Sequence, residues 1–204
     1  MKEINDFIRP EEAKYLMSMI DRYANRSMVV SQGKEMNQYS SCRTSYTANL
    51  VANDPTVESL HKKIASYLGV SINKGESLQG QRYETGQYFN SHVDYFKGSD
   101  YDKNCLSSGN RTHTFMLYLN DNFKGGTTTF KHLNKEIKPK SCKALTWNNL
   151  QQGHPNEYMM HSGTEVTEGT KYIITSWWRE NIWNASDDAK EYEKKLKSSQ
   201  LSII

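Results

Sequence analysis

The chain has 204 residues, of which 36% are hydrophobic and 24% are charged, and its formal net charge at pH 7 is +3. These values are typical of one soluble globular domain with a substantial core. No apolar run approaches the roughly 18–20 residues of a membrane span, and the first residues lack the apolar stretch of a secretory signal. The small net charge gives no reason to expect a nucleic acid partner or an anionic membrane surface. We therefore expect neither nucleic acid nor membrane binding.

The cysteines do not form a paired motif for zinc binding or redox chemistry, because they are odd in number and far apart. They are Cys42, Cys105 and Cys142. We interpret them as reduced thiols, which together with the missing secretory signal predicts a cytoplasmic location.

Two amphipathic helices are predicted in the first third of the chain. Pro10 suits the first position of one helix, and two glutamates follow it in the first turn. Asp54 is a suitable N-cap for a second helix, which is predicted to begin at Pro55 and to end at Gly69. Apolar residues recur at helical spacing in both segments, so each helix has one face to bury.

After Gly69, short runs rich in Thr, Tyr, Phe, Val and Ile alternate with clusters of Gly, Asn, Asp and Ser, which is typical of strands joined by turns. Strands are predicted over residues 78–83, 87–93, 113–119, 127–130, 143–146, 159–162 and 171–177. The pattern predicts a mainly β fold, a compact antiparallel sandwich or barrel with flanking helices packed outside it. Residues 97–110 are predicted to form a long exposed loop of the kind that borders functional sites.

His92 and Asp94 lie in the aromatic-rich stretch "YETGQYFNSHVDYF". On a strand, residues i and i+2 point to the same face and lie roughly 6.6 Å apart at the backbone, so both side chains can reach one metal ion. The pair also arises often by chance, and two polar residues on the wet face of a surface strand are the alternative interpretation.

A second histidine stands well downstream, in "HSGTEVTEGTKYIITSWW". A hairpin is predicted here, with His161 ending one strand, a turn around Gly169, and Lys171 beginning the next strand in the same concavity. Two histidines and one carboxylate with open positions make up the facial triad of non-haem Fe(II) oxygenases. Taken singly, a satisfied core histidine and an exposed lysine remain the simpler interpretations.

Five segments in this order resemble the 2-oxoglutarate and Fe(II)-dependent dioxygenases, specifically the prolyl 4-hydroxylase family. They are "RYETGQYFNSHVDYF", "RTHTFMLYLND", "GGTTTF", "HSGTEVTEGTKY" and "TSWW". The resemblance extends from Asp6 to Trp178 and implies a double-stranded β-helix (jelly roll) core. We divide the single domain into a supporting region of helices and strands (1–76), the catalytic core (77–180) and a charged tail (181–204). The tail is predicted to be a solvated helix capped by Ser186.

The resemblance implies that His92, Asp94 and His161 are iron ligands, which leaves Fe(II) with positions for 2-oxoglutarate and O2. The implied activity is 4-hydroxylation of proline in a peptide or protein, as in procollagen-proline 4-dioxygenases, with release of succinate and CO2. L-Ascorbate is implied as a further cofactor by the family alone. A small microbial or viral member is the expected type.

Lys171 matches the family lysine that pairs with the distal carboxylate of 2-oxoglutarate, since a buried anion requires a positive partner. Tyr83 matches a tyrosine whose hydroxyl also holds this cosubstrate. Thr128 is expected to add a hydrogen bond, although Thr127 and Thr129 compete for that assignment.

On the substrate side, Arg111 and Trp177 match family positions that border the peptide groove, and the guanidinium suits a backbone carbonyl. A solvent-facing arginine and a core tryptophan are the alternatives. Phe89 stands where some relatives carry a tyrosine, and Arg179 where some carry a histidine. The loop 97–110 and the segment "SMVVSQGKEMNQYSSCRTS" are candidates to close over a peptide.

Three rival functions share this fold. Nucleic-acid demethylases hold the cosubstrate with an arginine closer to the second histidine, where this chain has Thr167, and the modest charge also argues against them. A non-catalytic binding module would have lost a ligand or the lysine, and this chain keeps all four. A free-amino-acid hydroxylase requires a charged clamp that the sequence does not identify. The sequence predicts no oligomeric state.

Overall fold

The computed structural model describes residues 1–27, 42–50 and 52–188. Its helices are α1 (Pro10–Tyr23), α2 (Pro55–Leu68) and the short α3 (Ser99–Asn104). The backbone N–H groups of Thr56 and Val57 donate to Oδ1 of Asp54, at 2.9 and 3.1 Å, so Asp54 is the N-cap of α2. Gly69 ends α2 with a φ of 67°, in the left-handed region where glycine carries no Cβ penalty. Both predicted helices are confirmed with their predicted first residues.

The strands are short, and all seven predicted strands are present, with each end within two residues of the predicted one. In chain order they are β1 (Lys2–Ile4), β2 (Asn25–Arg26), β3 (Tyr46–Asn49), β4 (Gln79–Tyr83), β5 (Phe89–His92), β6 (Arg111–Tyr118), β7 (Lys124–Gly125), β8 (Thr128–Phe130), β9 (Lys135–Ile137), β10 (Ala144–Asn148), β11 (Leu150–Gln151), β12 (His154–Pro155), β13 (His161–Gly163), β14 (Val166–Glu168) and β15 (Lys171–Arg179).

The strands form two main antiparallel sheets. The larger sheet has the order β1-β10-β6-β15-β4-β3-β2, and the smaller has the order β5-β13-β8-β9. Two ribbons, β11-β12 and β7-β14, complete the β-structure of the described residues. The expectation of a mainly β fold with antiparallel pairing is confirmed, and residues before the predicted core add three strands to the larger sheet.

Alternating residues of β6 separate two hydrophobic cores, because successive side chains of a strand point to opposite faces. Phe115 and Leu117 belong to the core that α1 and α2 cover. Met116 and Tyr118 belong to a second core, between the two sheets, which also contains Phe130 of β8. The helices therefore close the outer face of the larger sheet, and its inner face is left to build the site.

Gly80 allows α1 to approach the larger sheet closely. A Cβ atom added at Gly80 would lie 2.3 Å from Cγ1 of Ile20, a fully buried residue of α1. A side chain at position 80 would therefore push the helix away from β4.

The predicted hairpin between His161 and Lys171 is wrong. β13 pairs with β5 and β8 in the smaller sheet, whereas β15 pairs with β4 and β6 in the larger sheet. The chain between them forms β14, which pairs with β7. His161 and Lys171 nevertheless line one cavity, because the two sheets face each other across it.

The prediction of a long exposed loop over 97–110 is also wrong. The segment contains α3, and its buried residues include Asp100, Cys105, Ser108 and Asn110. Ser108 and Asn110 are held by hydrogen bonds to the chain that follows β15. The segment is therefore a packed part of the domain.

The tail begins a helix at residue 185, but its predicted cap is wrong. The backbone N–H and the hydroxyl of Ser186 both donate to Oδ1 of Asn184, so Asn184 is the capping residue. Asp188 is buried rather than solvated. The rest of the predicted tail helix, 189–204, lies outside the described residues, as do 28–41 of the segment expected to close over a peptide. No helix in the described ranges is both long and apolar enough to span a membrane.

Candidate active site

The three candidate metal ligands come together on the smaller sheet. His161 lies directly opposite His92 in the pairing of β13 with β5, and Asp94 follows β5. Nε2 of His92 is 3.5 Å from Oδ1 of Asp94, and Nε2 of His161 is 3.8 Å from Oδ2. One potential ligand atom from each residue lies within 4.8 Å of the other two. Asp94 and His161 are buried, and His92 is partly exposed.

Both imidazole rings are held with Nε2 toward the carboxylate. Nδ1 of His92 is 2.8 Å from the carbonyl oxygen of Asn90, and Nδ1 of His161 is 2.9 Å from that of Met159. A carbonyl oxygen only accepts, so each Nδ1 carries the hydrogen and each Nε2 keeps a free lone pair. This is the tautomer that a metal ion requires.

Asp94 has a support that the sequence reasoning missed. The hydroxyl of Thr114 donates to Oδ2 of Asp94 at 2.6 Å, and Nδ2 of Asn149 donates to the Thr114 hydroxyl at 2.9 Å. All three side chains are buried. The signal was present in part, since alternation along β6 places polar Thr114 on the same buried face as Met116 and Tyr118.

The charge states of the trio suit a divalent cation. Burial alone would raise the pKa of Asp94, but electrostatic attraction by His161 and His92 and the hydrogen bond from Thr114 hold it well below its usual range. Burial, with repulsion from His92, lowers the pKa of His161 to about 4. At neutral pH the site therefore offers a carboxylate and a neutral imidazole beside His92, a donor set that fits Fe(II) with positions left open.

Lys171 lies at the other end of the site, directly opposite Tyr83 in the pairing of β15 with β4. Nζ of Lys171 donates to the carbonyl oxygen of Gly126 at 2.7 Å and lies 5.3 and 5.5 Å from the ring centroids of Tyr83 and Tyr118. Burial lowers its pKa to about 7, and no acidic group in the described part of the chain opposes this shift. A buried cation without an anionic partner is suited to a ligand that brings a carboxylate.

Of the three neighbouring threonines, only Thr128 lines the cavity. Its hydroxyl is 2.6 Å from that of Tyr118, and the residue is buried. The hydroxyls of Thr127 and Thr129 instead pair with hydroxyl groups of the chain at β13. The geometry therefore favours Thr128 over its two neighbours as a ligand contact.

One cavity joins the metal end to the lysine end. It is lined by the three candidate ligands and by Lys171, Tyr83 and Thr128. Its other walls include Arg43, Gln81, Phe89, Thr114, Trp147 and Trp177. Phe89 stacks on His92 with ring centroids 3.7 Å apart. Arg43 and Trp147 had no signal in the sequence that linked them to the site.

The two residues expected at the peptide groove contact each other. The guanidinium of Arg111 lies 3.9 Å from the ring centroid of Trp177. Nε and Nη2 of Arg111 each donate to one carboxylate oxygen of Glu76 at 2.7 Å, so much of the guanidinium is already paired. Trp177 lines the cavity, and its buried indole nitrogen has no hydrogen-bond partner among the described residues.

The sequence was compared with protein families and with known proteins. Residues 78–179 match the model of the 2OG-Fe(II) oxygenase superfamily. A prolyl 4-hydroxylase homologue of Acanthamoeba polyphaga mimivirus is 33% identical over 185 residues, covering 87% of this chain and 73% of the viral protein. Prolyl 4-hydroxylase 2 of Arabidopsis thaliana is 33% identical over 195 residues, covering 84% of this chain and 64% of the plant protein.

The fold has a counterpart among solved structures. The viral collagen prolyl hydroxylase of Paramecium Bursaria Chlorella virus-1, in its 2OG complex, superposes with a TM-score of 0.68 at 22% identity, covering 87% of this chain and 94% of that one. The predicted double-stranded β-helix (jelly roll) core is thereby confirmed. The chain belongs to the 2-oxoglutarate–Fe(II) oxygenase superfamily, and the two relatives described above carry the name prolyl 4-hydroxylase. The prediction of a 2-oxoglutarate-dependent dioxygenase is confirmed, and this class uses Fe(II), 2-oxoglutarate and O2.

Proposed function

We propose that this protein 4-hydroxylates proline in a peptide or protein substrate, consuming 2-oxoglutarate and O2 and releasing succinate and CO2. The observation that carries the proposal is the one cavity with a His–Asp–His trio at one end and, at the other, a buried lysine with no acidic partner among the described residues. The names of the relatives support proline over other targets of the same chemistry.

His92, Asp94 and His161 would hold Fe(II) through two Nε2 atoms and one carboxylate oxygen. When bound, the iron activates O2 for insertion into an unactivated C–H bond. The chain's own contribution is to fix the ligands beforehand, because the carbonyls of Asn90 and Met159 orient the two rings and Thr114 orients the carboxylate.

Lys171, Tyr83 and Thr128 would hold the distal carboxylate of 2-oxoglutarate. Nζ of Lys171 lies 5.3 and 5.5 Å from the ring centroids of Tyr83 and Tyr118, so the arriving carboxylate meets a buried amine beside two aromatic rings. A carboxylate bound there would restore the protonated form of Lys171, since opposite charge favours it.

The substrate would enter past Trp177 and Phe89, on the metal side of the cavity. The indole N–H of Trp177, which has no partner in the part of the chain that the structure describes, is suited to a backbone carbonyl of the peptide. Arg111 borders the same groove from behind Trp177. L-Ascorbate as the reductant and a cytoplasmic location are part of the proposal and rest on the sequence interpretation.

Succinate formation with a panel of proline-containing peptides tests the proposal, each peptide matched by a copy with alanine in place of proline. We expect Fe(II)-dependent succinate that proline peptides stimulate and alanine copies do not. Asp94→Ala should abolish turnover with every peptide. Equal stimulation by the alanine copies would keep the dioxygenase and reject proline as its target.

A further inference from the structure

Behind the metal site lies a buried ionic cluster of one carboxylate and two guanidinium groups. Glu76 accepts two hydrogen bonds from Arg111, each 2.7 Å long, and its Oε1 accepts a third from Nε of Arg179 at 2.6 Å. Glu76 and Arg179 are buried, and the Arg111 side chain is only 15% exposed. An ion pair so far from water is retained only where its geometry is good, and this one is bidentate.

Glu76 and Arg111 together hold Trp177. The backbone N–H of Glu76 donates to the carbonyl oxygen of Trp177 at 2.8 Å, and the guanidinium of Arg111 lies 3.9 Å from the Trp177 ring centroid. The indole is thus fixed from its backbone and from its ring face, on the side away from the cavity.

Arg111 also reaches the metal ligand. Its Nη1 is 3.4 Å from the carbonyl oxygen of Asp94, a long contact, and its guanidinium lies 4.7 Å from the ring centroid of Phe96. The same side chain therefore touches both the backbone of a metal ligand and the tryptophan that faces the substrate.

Arg179 connects the cluster to the segment 97–110. Its Nη1 donates to the carbonyl oxygens of Asn104 and Gly109, at 3.0 and 2.8 Å. Arg179 and Trp177 both lie on β15, two residues apart. The segment 97–110 is held to the strand that carries the indole.

The charges of the cluster depend on Glu76. Burial alone would raise the pKa of Glu76, but Arg111 and Arg179 hold it below its usual value, so Glu76 is ionised. Without this carboxylate, two like charges would be buried side by side.

We propose that Glu76 is a positioning residue for the active site. Acting through Arg111, it sets Asp94 and the Trp177 ring relative to each other, and acting through Arg179 it holds the segment 97–110 against the strand that carries Trp177. The peptide part of this inference rests on the proposed function, whereas the part that concerns Asp94 does not. Arg111 then acts on the substrate indirectly, by positioning Trp177, rather than by a hydrogen bond of its own to the peptide.

The test compares Glu76→Gln, which keeps the shape and removes the charge, with Glu168→Gln, a control at an exposed glutamate paired with Lys124. The readouts are the Co(II) dissociation constant from visible absorbance, the KM for a proline peptide at saturating metal, the KM for 2-oxoglutarate, and Tm. The double variant Glu76→Gln/Arg179→Met leaves the cluster with one net positive charge, as in the wild type. It is used in place of Glu76→Gln if the single variant fails to fold.

We expect Glu76→Gln to weaken Co(II) binding by about tenfold. This is at the lower end of the loss of metal affinity that follows when the groups that orient metal ligands are removed. The peptide KM should rise several-fold, while the 2-oxoglutarate KM stays within about twofold, because Lys171 is outside the cluster. A lower Tm with unchanged Co(II) affinity and peptide KM would overturn the inference. If the wild-type protein hydroxylates no peptide, the proposed function fails, and the role of Glu76 is then judged from Co(II) affinity alone. Weaker Co(II) binding by Glu76→Gln supports that role, and unchanged binding refutes it.

Discussion

The hydroxyl of Thr114 donates a 2.6 Å hydrogen bond to Oδ2 of Asp94, the one acidic member of the metal-binding trio. Thr114 lies on β6 of the larger sheet, whereas His92 and His161 lie on the smaller sheet. The bond therefore ties the metal site to the opposite sheet, and the carboxylate is oriented before any ion arrives.

Thr114→Val should weaken divalent metal binding by about tenfold, because the carboxylate loses the donor that orients it while the shape of the side chain is kept. Titration with Co(II) measures the effect. Thr112→Val, on the same strand with its hydroxyl donated to the Trp178 carbonyl, is the control. Metal affinity equal to that of the wild type would show that Asp94 needs no such support.

The affinity for 2-oxoglutarate should fall as the pH rises above 7. Burial lowers the pKa of Lys171 to about 7, so above that pH the empty site must take up a proton before the ammonium can pair with the ligand. The expected loss is up to about tenfold per pH unit. Calorimetry in buffers of different ionisation enthalpy should show proton uptake at pH 8. Lys171→Arg carries a permanent charge, so its affinity for 2-oxoglutarate should depend little on pH. If the affinity of the wild-type protein were equally independent of pH, Lys171 would not be the residue that pairs with the ligand.

Lys171 should also affect stability in a pH-dependent way. Between about pH 7 and its ordinary pKa of 10.5, the unfolded chain holds this proton and the folded chain does not, so the free energy of unfolding rises with pH over that window. Below pH 7 the full cost of burying the ammonium is present. Lys171→Met should therefore be more stable relative to the wild type at pH 6 than at pH 9 in urea denaturation without ligand. An equal difference at both pH values would be evidence against the shift.

Thr128→Val should raise the KM for 2-oxoglutarate several-fold, because Thr128 lines the same cavity as Lys171 and we propose that its hydroxyl, which pairs with that of Tyr118, also contacts the ligand. The matched control is Thr129→Val, since the Thr129 hydroxyl pairs with Ser162 and does not line the cavity. Steady-state kinetics with 2-oxoglutarate as the varied substrate distinguish the two. A larger effect at Thr129 would reverse the assignment.

Asp188 should hold the segment 97–110 in place. Its carboxylate accepts from the backbone N–H groups of Ser107 and Ser108 and from the Ser108 hydroxyl, at 2.8, 2.9 and 2.6 Å. Asp188→Ala should cost about 1–3 kcal/mol of stability, because buried donors lose their acceptor. Hydrogen exchange at 107 and 108 should be faster. The exposed control Glu168→Ala should change neither, and unchanged exchange in Asp188→Ala would show that other contacts suffice.

Local features were predictable from the sequence. Asp54 and Gly69 bound α2 through short-range hydrogen bonding and backbone preference, and the strands follow from alternation and turn residues. The resemblance to a known family grouped His92, Asp94 and His161 into one site. The helix ends and the strands depend on residues close together in the chain, and the ligand set was identified from motifs whose spacing is characteristic of a family.

Features that depend on strand partners were not predictable. The hairpin from His161 to Lys171 was wrong because periodicity identifies strands without identifying their neighbours. Glu76 was missed because its partners Arg111 and Arg179 lie 35 and 103 residues away in the chain. The burial within 97–110 was missed for the same reason. A polar segment can be buried only where distant residues supply partners for its hydrogen-bonding groups, and these residues cannot be identified from the segment itself.

Isotopically labelled O2, supplied with Fe(II), 2-oxoglutarate and a proline peptide, would show whether this site hydroxylates proline. Mass spectrometry and amino-acid analysis follow the label. We expect one labelled oxygen in 4-hydroxyproline for each labelled oxygen in succinate, and neither product with Asp94→Ala. Labelled succinate without labelled proline would contradict the claim that proline is the substrate of this site.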